Sequence, residues 1–193
     1  MMAYEIQALR AAYEGWCRLL VATIRMPDGQ TIKREIEEHG DAIAVLPYDP
    51  DRRVAMLVRQ FRPPVLHASG QAETLEVPAG LLDEDDPETC TRREAFEEVG
   101  LRLSTLEAVV TSWSMPGVSC ERIHLFLAPY SAADRIGAGG GLEGEHENIT
   151  PAEIALDDLA TFADSGRLPD MKTFALVQTL RLRQPHLFRS SQE

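Results

Sequence analysis

The sequence contains no long hydrophobic segment. No run approaches the ~20 consecutive apolar residues that a membrane-spanning helix needs. The stretch 1–10 also lacks the charged region followed by an apolar core that marks a secretion signal. We therefore expect a cytoplasmic protein with no membrane partner.

Cysteine is scarce, and basic residues are outnumbered by acidic ones. Cys17, Cys90 and Cys120 have no metal-binding spacing and cannot all form disulfides, so we expect reduced thiols. The 19 Lys and Arg residues stand against 31 Asp and Glu, which gives a formal net charge of −12. Because nonspecific nucleic-acid binding depends mainly on Lys and Arg at phosphates, this charge argues against a nucleic-acid partner.

The most informative stretch is 78–101, PAGLLDEDDPETCTRREAFEEVGL, where an apolar turn leads into a run of acids. Asp86 followed by Pro87 predicts the start of a helix, because an Asp side chain caps free N–H groups and Pro at the first position loses no hydrogen bond. Gly100 predicts the end of the helix.

Glu94 and Glu98 lie one turn apart in this predicted helix, within about 40° of each other around its axis, and Glu97 flanks them. Like charges at this spacing destabilise a helix by a few tenths of a kcal/mol per pair. A solvated acidic face is one interpretation. The context instead favours a hard divalent cation, Mg²⁺ or Mn²⁺, held by carboxylate oxygens. The cluster adjoins an apolar loop, and its helix carries Arg92 and Arg93 and has a defined end.

Residues 93–101, REAFEEVGL, reproduce the second half of the Nudix box, R-E-U-x-E-E-x-G-U, where U is aliphatic. The chain therefore resembles a Nudix hydrolase. The loop that follows Gly80 is one residue shorter than the general consensus and carries Asp85 where Glu is usual. This short form resembles the GDP-mannose pyrophosphatase branch of the nucleoside diphosphate sugar hydrolases. Other segments agree with the resemblance, which spans roughly residues 40–180: Met115-Pro116-Gly117, Glu121, Gly139-Gly140-Gly141 and the acidic loop 143–147.

The resemblance implies a role for each matching residue. The metal ligands are Glu94 and Glu98, with Glu97 sharing or adjusting a metal ion and the carbonyl of Ala79 adding a ligand. Arg93 would hold a box glutamate in place.

The acidic loop would supply a catalytic glutamate that orients water or adds a metal ligand. Glu145 and Glu147 both qualify, and alignment on Ile149 favours Glu147. Substrate contacts are implied for Arg59 and Arg62 of the R-Q-F-R segment, and for Pro116, Gly117 and Glu121 of the Pro-Gly loop.

The fold implied is α/β (α+β), a Nudix α/β/α sandwich with a mixed central sheet. We predict a β arm at 1–40 and the hydrolase domain at 41–193. An Asp-Gly turn at 27–30 between two extended runs predicts a hairpin, whereas 4–13 reads as helix or strand. By resemblance the arm forms a homodimer, and the alternative is a hairpin on a monomer. Further strands are predicted at 41–47, 53–60, 74–78, 106–112, 122–129 and 152–156, and further helices at 157–165 and after Asp170.

The implied function is Mg²⁺-dependent hydrolysis of a nucleoside diphosphate sugar, GDP-mannose to GMP and mannose 1-phosphate. One alternative is an ADP-ribose or ADP-sugar pyrophosphatase that uses the same metal machinery. Another is a noncatalytic nucleotide-sensing module, although such modules typically lose a box carboxylate and this chain retains all three.

Overall fold

The computed structural model describes residues 3–83, 86–142 and 148–188. The chain divides into two compact units, Met1–Ala42 with Thr111–Ile123, and Ile43–Val110 with His124–Glu193. The first unit thus contains the whole of the predicted arm, 1–40, and a segment from the middle of the chain. None of the helices in the described ranges is long and apolar enough to cross a membrane.

The first unit is built on a three-stranded antiparallel sheet in the order β1-β2-β3, with β1 at Glu5–Glu14, β2 at Arg18–Arg25 and β3 at Thr31–Glu38. The Asp-Gly turn joins β2 and β3: Asp28 Oδ1 accepts from the Gln30 N–H at 2.9 Å, and Gly29 adopts a φ of 86°. The predicted hairpin is therefore confirmed, and the undecided N-terminal stretch is a third strand.

A seven-stranded mixed sheet is the main sheet of the fold. Its strands are β4 (Asp41–Asp49), β5 (Val54–Phe61), β6 (Glu73–Glu76), β7 (Ala79–Leu82), β8 (Glu107–Trp113), β9 (Arg122–Pro129) and β10 (Thr150–Ala155). The order is β10-β5-β4-β9-β8, with β6 paired to β5 and β7 paired to β4. The predicted α/β class with a mixed central sheet is confirmed. The segment at the start of the box is a strand, β7, where the sequence predicted a tight turn.

Four helices complete the fold: α1 (Pro63–Ser69), α2 (Pro87–Val99), α3 (Leu156–Asp164) and α4 (Met171–Arg183). Helix α1 was not predicted from the sequence. Asp86 caps α2 by accepting from the N–H groups of Glu88 and Thr89, and Gly100 ends it in the left-handed conformation. Both predicted boundaries of this helix are confirmed, as is the Asp170 cap of α4.

The apolar side of helix α2 packs into the core and sets the orientation of the helix. Ala95 and Val99, one turn apart, are fully buried in a core that includes Val45, Met56 and Phe126. Glu94 and Glu98 each precede one of these core residues. Burial of the apolar pair therefore determines which way the two glutamates face.

Candidate active site

The backbone that leads from β6 into β7 is held by three different elements. Its consecutive residues make one backbone hydrogen bond each: Val77 N–H donates to Thr173 Oγ1 of α4 at 2.8 Å, the Pro78 carbonyl accepts from Val45 N–H of β4 at 3.0 Å, and Ala79 N–H donates to Glu98 Oε2 of α2 at 3.1 Å. With its polar groups engaged on several sides, this backbone has little freedom to shift.

Glu98 is the most buried of the box carboxylates, with 2% of its surface exposed. A buried carboxylate is costly unless it is hydrogen-bonded or bound to a cation. Its hydrogen bond from the Ala79 N–H places this carboxylate beside the residue whose carbonyl is a predicted metal ligand.

Glu94 lies against Gly80. A Cβ atom built on Gly80 would be 2.3 Å from Glu94 Cδ and 2.5 Å from Glu94 Oε1, so any side chain here would displace the Glu94 carboxylate. The glycine therefore lets the backbone of β7 approach this carboxylate closely.

Arg93 lies among the acids of the box. Its Nη1 atom is 3.3 Å from Glu94 Oε1 and 3.8 Å from Glu97 Oε2, and its Nη2 atom donates to Asp83 Oδ2 at 2.8 Å. Partial desolvation lowers the pKa of Arg93, but the charges of Glu94 and its neighbours outweigh this effect and raise it. From this position the positive charge of the guanidinium offsets the repulsion among the carboxylates.

The donor atoms of the site are carboxylate and carbonyl oxygens, the ligands that Mg²⁺ and Mn²⁺ prefer. Glu98 contacts Ala79, Glu94 lies against Gly80, and the Arg93 guanidinium lies near both Glu94 and Glu97. In the part of the chain that the structure describes, no three His, Cys, Asp or Glu side chains are gathered closely enough to hold a metal ion by themselves. A hard divalent cation at this position would therefore need oxygen ligands beyond these side chains, such as the backbone carbonyl of Ala79.

The two arginines of the R-Q-F-R segment differ in their surroundings. Arg62 forms a bidentate pair with buried Glu76, with Nε and Nη2 at 2.8 and 2.9 Å from its two oxygens. Lys172 Nζ lies 2.5 Å from the same carboxylate and 2.8 Å from Asp170 Oδ1. Arg59, in contrast, is exposed on β5.

The Glu76 carboxylate has a low pKa. Burial alone raises the pKa of this group, but the Arg62 hydrogen bond and the Lys172 charge outweigh burial and lower it from 4.5 to about 2. Sequence reasoning missed this charge network. The available signal was a glutamate within the otherwise apolar strand TLEVP directly before the box.

The remaining substrate candidates belong to the first unit. Pro116 and Gly117 are exposed in a turn that is closed by a Val118 N–H to Met115 O hydrogen bond of 3.0 Å. The Glu121 carboxylate lies 3.9 Å from His39 Nε2, which is also 3.4 Å from Glu37 Oε1.

The two predicted catalytic glutamates, Glu145 and Glu147, lie outside the described residues, as does Asp85. The glycine-rich segment that precedes them is described. It is joined to α2: Gly140 N–H donates to the Glu98 carbonyl at 2.8 Å, and Gly141 N–H donates to the Glu97 carbonyl at 3.0 Å.

The fold is a mixed sheet that carries a glutamate-bearing helix against a glycine-containing strand. A family model described as the NUDIX domain matches residues 38–171. The chain belongs to the Nudix family and is a Nudix hydrolase, a class of enzymes that generally uses divalent metal cations.

Two curated relatives are both named GDP-mannose pyrophosphatase. The protein of Cronobacter sakazakii (strain ATCC BAA-894) is 38% identical over 159 residues, covering 81% of this chain and 82% of the relative. The protein of Escherichia coli O1:K1 / APEC is 34% identical over 158 residues, covering 80% and 82%. The recognised resemblance to this branch is confirmed by these identities.

Among solved structures, the crystal structure of an ADP compounds hydrolase superimposes with a TM-score of 0.77. The match covers 96% of each chain at 14% sequence identity. At that identity the similarity establishes the fold, which agrees with the architecture described above.

Proposed function

We propose that the protein hydrolyses the pyrophosphate bond of a nucleoside diphosphate sugar, with GDP-mannose as the substrate and GMP and mannose 1-phosphate as the products. The observation that carries the proposal is the contact between the buried carboxylate of Glu98 and Ala79, beside Glu94 and Gly80. The GDP-mannose pyrophosphatases that are 34% to 38% identical to this chain support the choice of substrate.

The carboxylates of Glu94 and Glu98 and the carbonyl of Ala79 would hold Mg²⁺, or Mn²⁺ in its place, with Glu97 sharing a metal ion. When bound, a divalent cation neutralises phosphate charge and lowers the pKa of water. Arg93 keeps Glu94 and Glu97 oriented through its guanidinium. The hydrogen bonds of Val77, Pro78 and Ala79 keep the backbone at the start of β7, beside these carboxylates, from shifting.

In the reaction, water adds to one phosphorus of the anhydride, the bridging P–O bond breaks, and the departing phosphate keeps the electron pair. We assign the proton of the attacking water to Glu147, with Glu145 as the alternative. Arg59 would bind a phosphate of the substrate, because its exposed guanidinium can pair with phosphate oxygens. Arg62 would support the site through Glu76, and Glu121, Pro116 and Gly117 would contact the nucleotide or sugar.

Glu147→Gln should lower kcat by about 100-fold or more and leave substrate affinity nearly unchanged, because general-base catalysis contributes roughly 10²- to 10⁴-fold. Steady-state kinetics of the wild type, Glu147→Gln and Glu145→Gln measure this. Wild-type kcat for Glu147→Gln with a reduced kcat for Glu145→Gln would transfer the role to Glu145.

The substrate proposal is tested with a panel of GDP-mannose, ADP-ribose, ADP-glucose and dinucleoside polyphosphates, each with Mg²⁺, compared by kcat/KM. We expect GDP-mannose to give the highest value. A preference for ADP-ribose or ADP-glucose would identify an ADP-sugar pyrophosphatase. Binding without turnover of any compound would identify a nucleotide-sensing module.

We also propose that the enzyme is a cytoplasmic homodimer in which the N-terminal arm, 1–40, joins two copies ahead of the hydrolase domain, 41–193. Three free cysteines in the described structure are compatible with a reducing compartment. Strand β1 lies at the edge of its sheet and exposes Ile6, Leu9 and Tyr13, and Tyr4 directly precedes it; each of the four is more than half exposed. Exposed apolar patches of this kind are typical of interaction surfaces.

Sedimentation equilibrium should give twice the chain mass of 21.4 kDa for the wild type. Leu9→Asp should shift the protein to a monomer, because a charge on the apolar patch opposes burial at an interface. Gln7→Asp, on the same strand, is the control for added charge and should remain dimeric. A wild type that sediments as a monomer would contradict the arm assignment.

A further inference from the structure

The end of helix α2 is capped by a distant part of the chain. Its last turn leaves carbonyl groups without partners inside the helix, as every helix does. Two of them, of Glu97 and Glu98, accept from Gly141 N–H at 3.0 Å and Gly140 N–H at 2.8 Å. The same two residues carry side chains of the proposed metal site.

A second pair of hydrogen bonds holds the same segment one residue past the helix. The Gly100 carbonyl accepts from Ile136 N–H at 3.0 Å and from Gly137 N–H at 3.1 Å. Four backbone hydrogen bonds, two near each end of the 136–141 segment, thus fasten it to the end of α2. A segment whose composition suggests a flexible linker is fastened by its backbone instead.

The backbone of the 136–141 segment lies so close to the end of α2 that positions 139 and 100 require glycine. Gly139 has a φ of 71°, and a Cβ atom built on it would be 2.4 Å from the Glu98 carbonyl oxygen and 2.7 Å from Val99 Cα. A Cβ atom on Gly100 would be 2.1 Å from the Gly137 carbonyl oxygen. In both cases the obstructing atoms are backbone, which cannot rotate away as a side-chain end can.

We propose that Gly139, Gly140 and Gly141 are positioning residues for the metal-binding carboxylates of α2. The inference rests on the proposed function. The glycines fix the last helical turn, and thereby fix where Glu97 and Glu98 present their side chains. They also fix the point from which the chain continues towards the proposed catalytic glutamates, which follow within six residues of Gly141 in the sequence.

The position of the last turn matters because the hydrogen bond between Glu98 and Ala79 tolerates little displacement. Glu98 Oε2 accepts from the Ala79 N–H at 3.1 Å, already near the outer part of the usual range for such bonds. A displacement of the last turn by several tenths of an ångström would lengthen this bond and move the Glu98 carboxylate away from Ala79. Substitutions that disturb the supports of metal ligands typically cost about 10- to 100-fold in metal affinity or activity.

The chain offers a closely matched control for Gly139. Gly166 follows the end of α3 with the same φ of 71°, and a Cβ atom built on it would meet nothing within 4 Å. Gly139→Ala and Gly166→Ala therefore share the strain of a left-handed alanine. They differ in whether the new methyl group strikes the backbone of α2.

The experiment measures Mn²⁺ affinity by electron paramagnetic resonance without substrate, and kcat and KM for GDP-mannose, in the wild type and both variants. Gly139→Ala should weaken Mn²⁺ binding about 10-fold or more and lower kcat more than it raises KM. Gly166→Ala should match the wild type in both measurements. A folded Gly139→Ala with wild-type Mn²⁺ affinity and kcat overturns the inference, as does an equal loss in Gly166→Ala.

A second measurement needs no variant and can refute the inference even if Gly139→Ala does not fold. Amide hydrogen exchange in the wild type should show protection of the Gly140 and Gly141 amides comparable to that of the α2 amides. Exchange at the rate of an unstructured peptide would overturn the inference. Because Mn²⁺ affinity and exchange need no substrate, a wild type inactive on GDP-mannose would refute the proposed function and leave this inference to be judged separately.

Discussion

Glu98→Gln should abolish divalent-cation-dependent turnover while leaving the fold intact. The substitution keeps the shape of the side chain and an oxygen that can still accept from the Ala79 N–H. It removes the negative charge of a carboxylate that is only 2% exposed. Loss of a charged metal ligand removes several kcal/mol of transition-state stabilisation, and about 3 kcal/mol corresponds to about a 100-fold loss of kcat/KM.

The matched control is Glu88→Gln, the same chemical change on the same helix. The Glu88 side chain is exposed and pairs with Arg92 one turn away, and exposed pairs of this kind contribute only a few tenths of a kcal/mol. Circular dichroism and thermal unfolding check that both variants fold. A Glu98→Gln variant as active as Glu88→Gln would refute the metal assignment.

Glu76→Gln should produce the largest loss of stability among the substitutions considered. The change leaves the charges of Arg62 and Lys172 beside a neutral amide in a largely buried setting. Removing one partner of a buried ion pair typically costs about 3 to 5 kcal/mol, because the other charge loses its compensation. Denaturant unfolding at pH 7 measures the difference in the free energy of unfolding.

The low pKa of Glu76 gives this prediction a pH signature. The pKa of an ordinary glutamate is 4.5, and the pKa of Glu76 in the folded protein is about 2. This shift is worth about 3 kcal/mol. Because the folded-state pKa is the lower one, the stabilisation is complete above pH 4.5 and is lost as the pH falls towards 2. The stability gap between wild type and Glu76→Gln should therefore be constant from pH 7 to about 5 and shrink below it.

Glu73→Gln serves as the control, because Glu73 is an exposed glutamate at the start of the same strand. It should change the free energy of unfolding by no more than about 0.5 kcal/mol. A gap between wild type and Glu76→Gln that stays the same from pH 7 to pH 3 would show that the ion network does not set the pKa of Glu76.

The local features of the site were predictable from the sequence. Asp86, Pro87 and Gly100 determine where α2 begins and ends, because capping depends on residues within a few positions of the helix terminus. The spacing of Glu94 and Glu98 likewise determines their shared face. The core side of the helix follows from Ala95 and Val99, which occupy the adjacent positions.

The long-range features were not predictable. The contact between Lys172 and Glu76 joins residues 96 positions apart, and no local pattern encodes which distant cation pairs with a buried acid. The two arginines of the R-Q-F-R segment are an example. Arg59 and Arg62 read alike in the sequence, yet the fold pairs Arg62 with Glu76 and leaves Arg59 exposed.

The glycine-rich segment was also open to more than one interpretation. Its composition suits a linker or a mobile loop, and only the fold reveals that Gly140 and Gly141 cap α2. The requirement for glycine at position 139 comes from the backbone of Glu98 and Val99, which lie about 40 residues earlier in the chain. β7 was missed for the same reason, since its strand character depends on pairing with β4.

Cleavage of the pyrophosphate bond of a nucleotide sugar with a divalent cation is the activity that we propose for this chain. Its most direct test is ³¹P NMR of GDP-mannose incubated with the enzyme and Mg²⁺ in ¹⁸O-labelled water, with and without a chelator. We expect GMP and mannose 1-phosphate, one of them labelled at its phosphate, and no reaction with the chelator present. Unchanged GDP-mannose, cleavage to GDP and mannose, or equal cleavage in the presence of the chelator would contradict the account.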